Sequence, residues 1–156
     1  MGGGAVYDLG CYCTTMILSM TDLEPEYVMG RAEFNDFGVD VFTAALIKFK
    51  NGMRASFNVG MIFDPGSDAR FDRLYIHGST GCIRSDVEYN QDGELCYTIV
   101  SEGKKIERKV TAKQNYALES SQFGRCIENG ESPFVTSDFS IKNAKLLDRI
   151  LEKIGY

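Results

Sequence analysis

The residues with the clearest chemical potential lie near the start of the chain, in the segment Gly2-Gly3-Gly4-Ala5-Val6-Tyr7-Asp8-Leu9-Gly10-Cys11-Tyr12-Cys13. Asp8 and Tyr12 are four residues apart, so on a helix their carboxylate and phenol share one face. A phenol near a carboxylate can exchange a proton with a hydroxyl or carbonyl substrate. The preceding glycines leave backbone N–H groups open and permit close approach of a ligand. We therefore consider Asp8 and Tyr12 candidate catalytic residues.

Two other interpretations of this segment stand beside the catalytic one. As a nucleotide-binding fingerprint, Gly2-x-Gly4 requires Gly or Ala at position 7, where this chain has Tyr7. That interpretation fails. As plain structure, Asp8 is an acidic residue favoured by the helix dipole in a first turn, and Tyr12 packs with its hydroxyl satisfied. Spacing alone does not separate this structural interpretation from the catalytic one.

A helix must position these residues, and the sequence predicts one from about Ala5 to Met20. Its apolar residues recur at helical spacing, at Val6, Leu9, Cys13, Met16, Ile17 and Met20. Pro25 cannot continue the hydrogen-bond ladder and also restricts Glu24. The helix is therefore expected to end before that proline.

The opening segment resembles the start of the C-terminal domain of the Gfo/Idh/MocA oxidoreductases. Their motif is G-G-G-x-x-x-D-x-G-x-[H/Y], and its fixed positions are filled here by Gly2, Gly3, Gly4, Asp8, Gly10 and Tyr12. Tyrosine in the last place resembles the branch of glucose–fructose oxidoreductase and dihydrodiol dehydrogenase. The similarity continues through residues 78–81, residues 115–119 and the last helix. The family's glycine fingerprint and E-K-P lysine motif, which belong to an N-terminal half, are not found in this sequence.

The resemblance implies that residues 1–156 form the substrate-binding and oligomerisation domain of a longer NAD- or NADP-dependent oxidoreductase. The parent would transfer hydride between nicotinamide and a sugar, polyol or related substrate. By this analogy Tyr12 is the general acid/base, and Asp8 orients it or holds a substrate hydroxyl. Gly2, Gly3 and Gly4 would lie close to cofactor or substrate. Free tyrosine titrates near pH ~10, so Tyr12 needs a cation, which the family's lysine would supply.

The resemblance also implies partners for this chain. These are a small sugar-like substrate, the missing dinucleotide-binding domain and a second copy bound through the sheet. The chain alone is expected to bind no cofactor and to be inactive. The rival hypothesis is a non-catalytic binding or oligomerisation module with the same fold, in which the motif is inherited packing.

Composition narrows the class of protein. Hydrophobic residues make up 44% and charged residues 25% of the 156 residues, which is ordinary for one soluble globular domain. The net charge of −5 argues against a general nucleic-acid or anionic-membrane surface. Five scattered cysteines and one histidine, His77, lack the spacing of a zinc site. We expect no metal site, reduced half-buried thiols and a cytoplasmic protein.

The middle of the chain alternates apolar and polar residues, which is typical of strands. Strands are predicted over residues 26–36, 39–50, 53–63, 70–77, 82–86, 94–101 and 104–111. Asn51-Gly52 predicts a type I′ hairpin turn. Phe42, Ala44 and Leu46 make one hairpin face less polar than a solvated sheet usually is, so something beyond water is expected to cover it. The basic cluster in the last strand is interpreted as a solvated edge.

Two helices are predicted at the end of the chain. Asn115 is expected to cap the first, which runs to about Glu128 and is closed by Gly130. Its inner stripe is predicted to be Tyr116, Ser120, Phe123 and Ile127. The second is expected to begin at a cap on Thr136 or Ser137 and to reach Ile154, with Ile141, Ala144, Leu147, Leu151 and Ile154 in line. The resulting fold class is α+β, an open, predominantly antiparallel sheet with helices on one face.

Overall fold

A computed structural model describes residues 3–61, 72–86 and 91–156. These residues group into two compact units, one formed by residues 3–61 and 135–156 and the other by residues 72–86 and 91–134. The α+β class and the antiparallel pairing are confirmed, and the strands form one three-stranded and one four-stranded sheet. The predicted loop at 64–68 and the predicted strand residues Ile62, Phe63, Arg70 and Phe71 lie outside the described residues.

The first unit packs helices on a three-stranded antiparallel sheet. A π-helical turn, Val6–Gly10, leads into α1, Cys11–Leu18, and is followed by β1, Pro25–Phe34, β2, Asp40–Phe49, and β3, Arg54–Gly60. The strand order is β1-β2-β3. The chain returns as α3, Ser137–Ile154, which packs on β1 and α1.

The hydrophobic core of the described residues lies in this first unit. It joins the start of the helical segment, the inner face of the sheet and one stripe of α3, through Ala5, Val6, Leu18, Val28, Ala45, Ile47, Phe49, Phe57, Val59, Leu146, Leu147, Ile150, Leu151 and Ile154. The face of β2 that carries Thr43, Ala45, Ile47 and Phe49 is thus buried. Gly30 lets α3 come close to β1, because an added Cβ would lie 2.6 Å from a methyl group of Ile154.

The hairpin between β2 and β3 is confirmed, but its predicted turn type is wrong. A type I′ turn needs positive φ at both central residues, and in the described chain Glu102 is the one non-glycine residue with positive φ. Gly52 has φ +86° and donates to the Phe49 carbonyl, while the Phe49 N–H bonds to the Met53 carbonyl. The loop therefore contains three residues, Lys50, Asn51 and Gly52, and glycine supplies the positive φ at its last position.

The second unit contains a four-stranded antiparallel meander followed by a helix. Its strands are β4, Leu74–His77, β5, Gly81–Ser85, β6, Gly93–Ser101, and β7, Lys104–Ala112, in that spatial order. Glu102 (φ 51°) and Gly103 (φ 75°) form the two-residue turn between β6 and β7. β7 is an edge strand exposed along nearly all its length, as predicted for the basic cluster. His77 ends β4 in an exposed position beside a turn.

Helix α2, Asn115–Asn129, follows β7 and differs from its prediction in two respects. Its cap is Gln114, whose side chain accepts a hydrogen bond of 2.7 Å from the Ala117 N–H, because Asn115 already has helical geometry. The stripe predicted to face inward is exposed: Tyr116 at 61%, Phe123 at 69% and Ile127 at 68%. The predicted left-handed end at Gly130 (φ 68°) is confirmed.

Helix α3 begins and ends as predicted. Thr136 is its cap, accepting from the Phe139 N–H, and Gly155 follows its last residue with φ 105°. Leu147, Leu151 and Ile154 are buried as expected, whereas Ile141 and Ala144 are exposed. No helix in the described part of the chain combines the length and the apolar character that crossing a membrane requires.

Candidate active site

The candidate residues Asp8 and Tyr12 lie where the π-helical turn passes into α1. The Cys11 N–H bonds to the Val6 carbonyl five residues earlier, which widens this turn relative to an α-helix. π-helical turns are rare and occur frequently at functional sites. Both candidate side chains point away from the core: Asp8 is exposed and Tyr12 is 55% exposed.

The alternative in which Tyr12 packs with a satisfied hydroxyl does not match this geometry. Within the described part of the chain, neither the Tyr12 hydroxyl nor the Asp8 carboxylate forms a hydrogen bond. Both groups are therefore open to a ligand from solvent. Tyr7, one residue before Asp8, is also about half exposed.

A buried carboxylate that the sequence prediction missed fixes the entry of this helical segment. Asp40 is fully buried and accepts three hydrogen bonds: from the Val6 N–H at 2.9 Å, from the Thr43 hydroxyl at 2.8 Å and from the Tyr156 hydroxyl at 2.8 Å. The Asp40 N–H in turn donates to the Tyr156 oxygen at 2.9 Å. One side chain thus joins the start of the helical segment, β2 and the C-terminal residue of the chain.

A β-bulge explains why strand alternation did not reveal Asp40. In the pairing of β1 with β2, Glu33 lies opposite Phe42 and Phe34 opposite Asp40, so Val41 is an extra residue on β2. The bulge places Asp40 on the same side as Thr43, three residues away, although strict alternation assigns the two residues to opposite faces. From the sequence alone, an isolated acidic residue at the end of a strand does not indicate such a bulge or the burial of its side chain.

The conformation of the glycine run is explained by the same carboxylate. Gly4 is buried with φ +141°, and a Cβ there would overlap Oδ1 of Asp40 and lie 2.9 Å from the Tyr156 hydroxyl. The backbone at Gly4 therefore lies close to Asp40 of this same chain. Gly3 has φ +137°, and a Cβ would meet nothing within 4 Å. Gly2 lies outside the described residues, and proximity of Gly2, Gly3 and Gly4 to a cofactor or substrate stays a prediction.

The surroundings of Tyr156 keep its phenol protonated. Partial burial raises the pKa of Tyr156, the Asp40 N–H that donates to its oxygen opposes this, and the hydrogen bond to the Asp40 carboxylate and the negative charge of that carboxylate add to the increase. The ring stacks edge to face on Phe34, with centroids 5.3 Å apart. Tyr156 is thus held as a hydrogen-bond donor to Asp40.

A second contact fixes α1 from the side of α3. The Asn143 amide donates to the Thr15 hydroxyl at 3.0 Å and to the Cys11 carbonyl at 3.4 Å. The segment that presents Asp8 and Tyr12 is therefore held both at its entry and along its length.

Cys11, between the two candidate residues, is not an activated nucleophile. Partial burial raises the pKa of its thiol, the backbone N–H groups of Tyr12 and Cys11 oppose this, and the negative charge of Asp8 adds to the increase. A protonated thiol reacts slowly because the thiolate is the nucleophile. Cys82 and Cys126 are half-buried free thiols and Cys96 is an exposed one. No cluster of three potential metal ligands occurs in the ranges that the structure describes.

Comparison with known proteins identifies the class to which this fold and motif belong. The sequence profile of the GFO/IDH/MocA C-terminal domain matches residues 1–84, more than half of the chain. This chain belongs to the GFO/IDH/MocA family, as its opening motif indicated.

Individual relatives agree with this assignment. The chain is 26% identical over 158 residues to an uncharacterized oxidoreductase of Rhizobium meliloti, aligning 96% of this chain with 46% of that protein. It is 24% identical to the D-xylose 1-dehydrogenase (NADP(+)) 2 of Haloferax volcanii, aligning 97% of this chain with 46% of that protein. Its fold matches a 3-ketoreductase from Actinomadura kijaniata, crystallised with TDP-benzene and NADP, with a TM-score of 0.84 at 23% identity over 99% of this chain and 48% of that one. The chain thus spans about half the length of these proteins.

Proposed function

We propose that this chain is the substrate-binding half of an NAD- or NADP-dependent oxidoreductase acting on a sugar, polyol or related hydroxyl or carbonyl substrate. The observation that carries the proposal is the joint exposure of Asp8 and Tyr12 on a helical segment whose backbone is fixed by Asp40. A proton-transfer group must be accessible to substrate yet rigidly held, and this arrangement meets both needs. The names of a D-xylose dehydrogenase and a 3-ketoreductase among similar proteins support the substrate class.

In the proposed reaction Tyr12 accepts and donates the proton of the substrate hydroxyl group. When an alcohol is oxidised, the substrate C–H bond breaks and its hydride is taken up by oxidised nicotinamide, which is the chemistry the cofactor supplies. The hydroxyl proton passes to Tyr12 in its phenolate form, and in the reverse direction the Tyr12 phenol donates the proton to the carbonyl oxygen. Asp8, one helical turn earlier, accepts a hydrogen bond from a substrate hydroxyl and orients the reacting carbon.

The cofactor is assigned to the other half of the parent protein. All strand pairs among the described residues are antiparallel, so this part of the chain contains no parallel βαβ unit to hold a dinucleotide. We expect the chain alone to bind no cofactor and to turn nothing over. A cytoplasmic location and self-association stay predictions from the sequence.

A second candidate function, a non-catalytic oligomerisation module, is favoured by one observation. The outer face of the three-stranded sheet exposes Met29, Phe42 and Leu46, and Met29 pairs directly with Leu46. An apolar sheet face of this kind suits contact with a second copy.

Turnover by the full-length parent separates the two functions. The parent should oxidise aldoses or polyols with NAD or NADP, detected by absorbance of the reduced nicotinamide. An assembly module would show concentration-dependent association and no reduced cofactor with any of these substrates.

A further inference from the structure

Helix α2 presents its apolar side to solvent. Tyr116, Phe123 and Ile127 are spaced by seven and four residues, so they form one stripe on the helix, and each is more than 60% exposed. The half-buried residues of the helix are Asn115, Gln122, Gly124 and Cys126, and their spacing places Asn115, Gln122 and Cys126 on one side of the helix, with Gly124 elsewhere. The more buried side is therefore mainly polar, and the more exposed side is apolar.

This arrangement leaves the helix without its usual source of stability. A helix of 15 residues is marginal in water by itself, and packing of its apolar face normally supplies most of its stability. α2 has no buried residue. No residue in the described ranges 72–86 and 91–134 is buried either, so this unit does not cover the stripe itself.

Gly124 adds an independent observation. It lies in the middle of α2, where glycine is unfavourable by about 1 kcal/mol relative to alanine. A Cβ at this position would meet nothing within 4 Å. Packing within the described chain therefore does not require glycine here, whereas close approach of a segment outside it would.

We infer that the stripe of Tyr116, Phe123 and Ile127 is the docking surface for the other half of the parent protein. This inference rests on the proposed function to the extent that it requires such a half, which is consistent with the chain spanning 46% of its curated relatives. The partner surface is an apolar patch belonging to the same polypeptide.

The size of the stripe favours a tethered partner over a second copy. Covering the stripe buries roughly 400 Å², because Tyr116 and Phe123 offer about 150–250 Å² each when fully covered and about a third of each side chain is already covered. A specific dimer needs about 800 Å² per partner. Domains of one polypeptide are held by smaller interfaces, because the covalent link gives them an effective concentration of about millimolar.

Amide hydrogen exchange of α2 tests the inference. In the 156-residue chain the α2 amides should exchange quickly, and in the full-length parent they should be protected. The double substitution Phe123→Ser with Ile127→Ser should remove that protection in the parent while leaving exchange in the shorter chain unchanged. Leu118→Ser is the matched control, since Leu118 is exposed on the opposite side of α2, and it should preserve protection.

Two results would overturn the inference. One is equal exchange of the α2 amides in the parent and in the shorter chain. The other is protection in the shorter chain that rises with its concentration and disappears with the double substitution, which identifies a second copy as the occupant. Turnover of the parent, measured separately, reports on the proposed function: an inactive parent with a protected α2 refutes the function alone, and an active parent with an unprotected α2 refutes the docking surface alone.

Discussion

Asp40 shows how one buried residue can fix the segment that carries two exposed candidate residues, Asp8 and Tyr12. Replacing it with Asn substitutes an N–H donor for one accepting oxygen, so at least one of its three donors loses its acceptor. A buried group left unsatisfied costs about 1–3 kcal/mol. We expect Asp40→Asn to lower the free energy of unfolding by that amount in urea titration. Asp36→Asn, an exposed control in the preceding turn, should change it little; equal effects would contradict the assignment.

Tyr156 gives this network a pH dependence with a defined sign. Its pKa is raised above the ordinary value of 10.0, so the native state holds the phenolic proton more tightly than the unfolded chain. The associated stability is complete below about pH 10 and is lost as the pH rises through the higher native value. We expect Tyr156→Phe to lower the urea midpoint at pH 8, and the difference from wild type to shrink above pH 10. A difference that grows with pH would refute the proposed network.

At the scale of elements, the glycine run determines how the helical segment leaves the sheet. Gly4→Ala combines an unfavourable backbone region with overlap on Asp40, and a strained residue alone costs about 1–3 kcal/mol. We expect Gly3→Ala to reduce the free energy of unfolding by about 1–3 kcal/mol and Gly4→Ala to reduce it by more than that, because both residues have positive φ but only a Cβ at Gly4 also overlaps Asp40. Urea titration of both variants measures this. Equal losses would show that the closeness of Asp40 is not the reason why position 4 needs glycine.

The elements also show which features the sequence could predict. Strands and helices with regular apolar spacing, such as β2 and α3, were predicted nearly to the residue because local periodicity and capping determine them. Asp8 and Tyr12 could be singled out as a candidate pair because their spacing is local, and their catalytic role stays a prediction. The burial of Asp40 could not be predicted, because a β-bulge turns its side chain to the face opposite to the one that strand alternation assigns. In addition, its partner Tyr156 lies 116 residues away in the sequence.

The error in α2 has a different cause. Its apolar stripe was identified correctly, but periodicity shows that a face is apolar and does not identify what covers it. The prediction placed the stripe against this chain, and the structure leaves it exposed.

For the whole molecule, the outer face of the three-stranded sheet predicts self-association. Phe42 and Leu46 remain more than 40% exposed on a face that also carries Met29. We expect sedimentation at tens of micromolar to show a dimer and Leu46→Glu to shift it to monomer, because a buried unpaired charge is strongly unfavourable. Leu23→Glu, the same substitution at an exposed leucine outside the sheet, should leave the dimer intact. A wild-type chain that is monomeric, or a dimer insensitive to Leu46→Glu, would refute this interface.

The proposed assignment of cofactor binding to the other half of the parent protein predicts the result of a calorimetric titration. Calorimetry should detect no micromolar binding of NAD or NADP to this chain, since its described strands form no parallel βαβ unit. The full-length parent should bind one of the two cofactors. Micromolar binding by the shorter chain would place cofactor recognition within it and contradict the assignment.

The most direct test of the account is the turnover number of the full-length parent carrying Tyr12→Phe. Loss of a positioned general acid/base lowers turnover by ~10²–10⁴-fold. We expect a decrease in this range with an unchanged urea midpoint, and a smaller decrease for Asp8→Asn, whose amide still forms hydrogen bonds. Tyr7→Phe is the matched control, because Tyr7 is a similarly exposed tyrosine in the same segment, and it should keep wild-type turnover. If Tyr12→Phe retains more than half of wild-type turnover, Tyr12 is not the proton-transfer group.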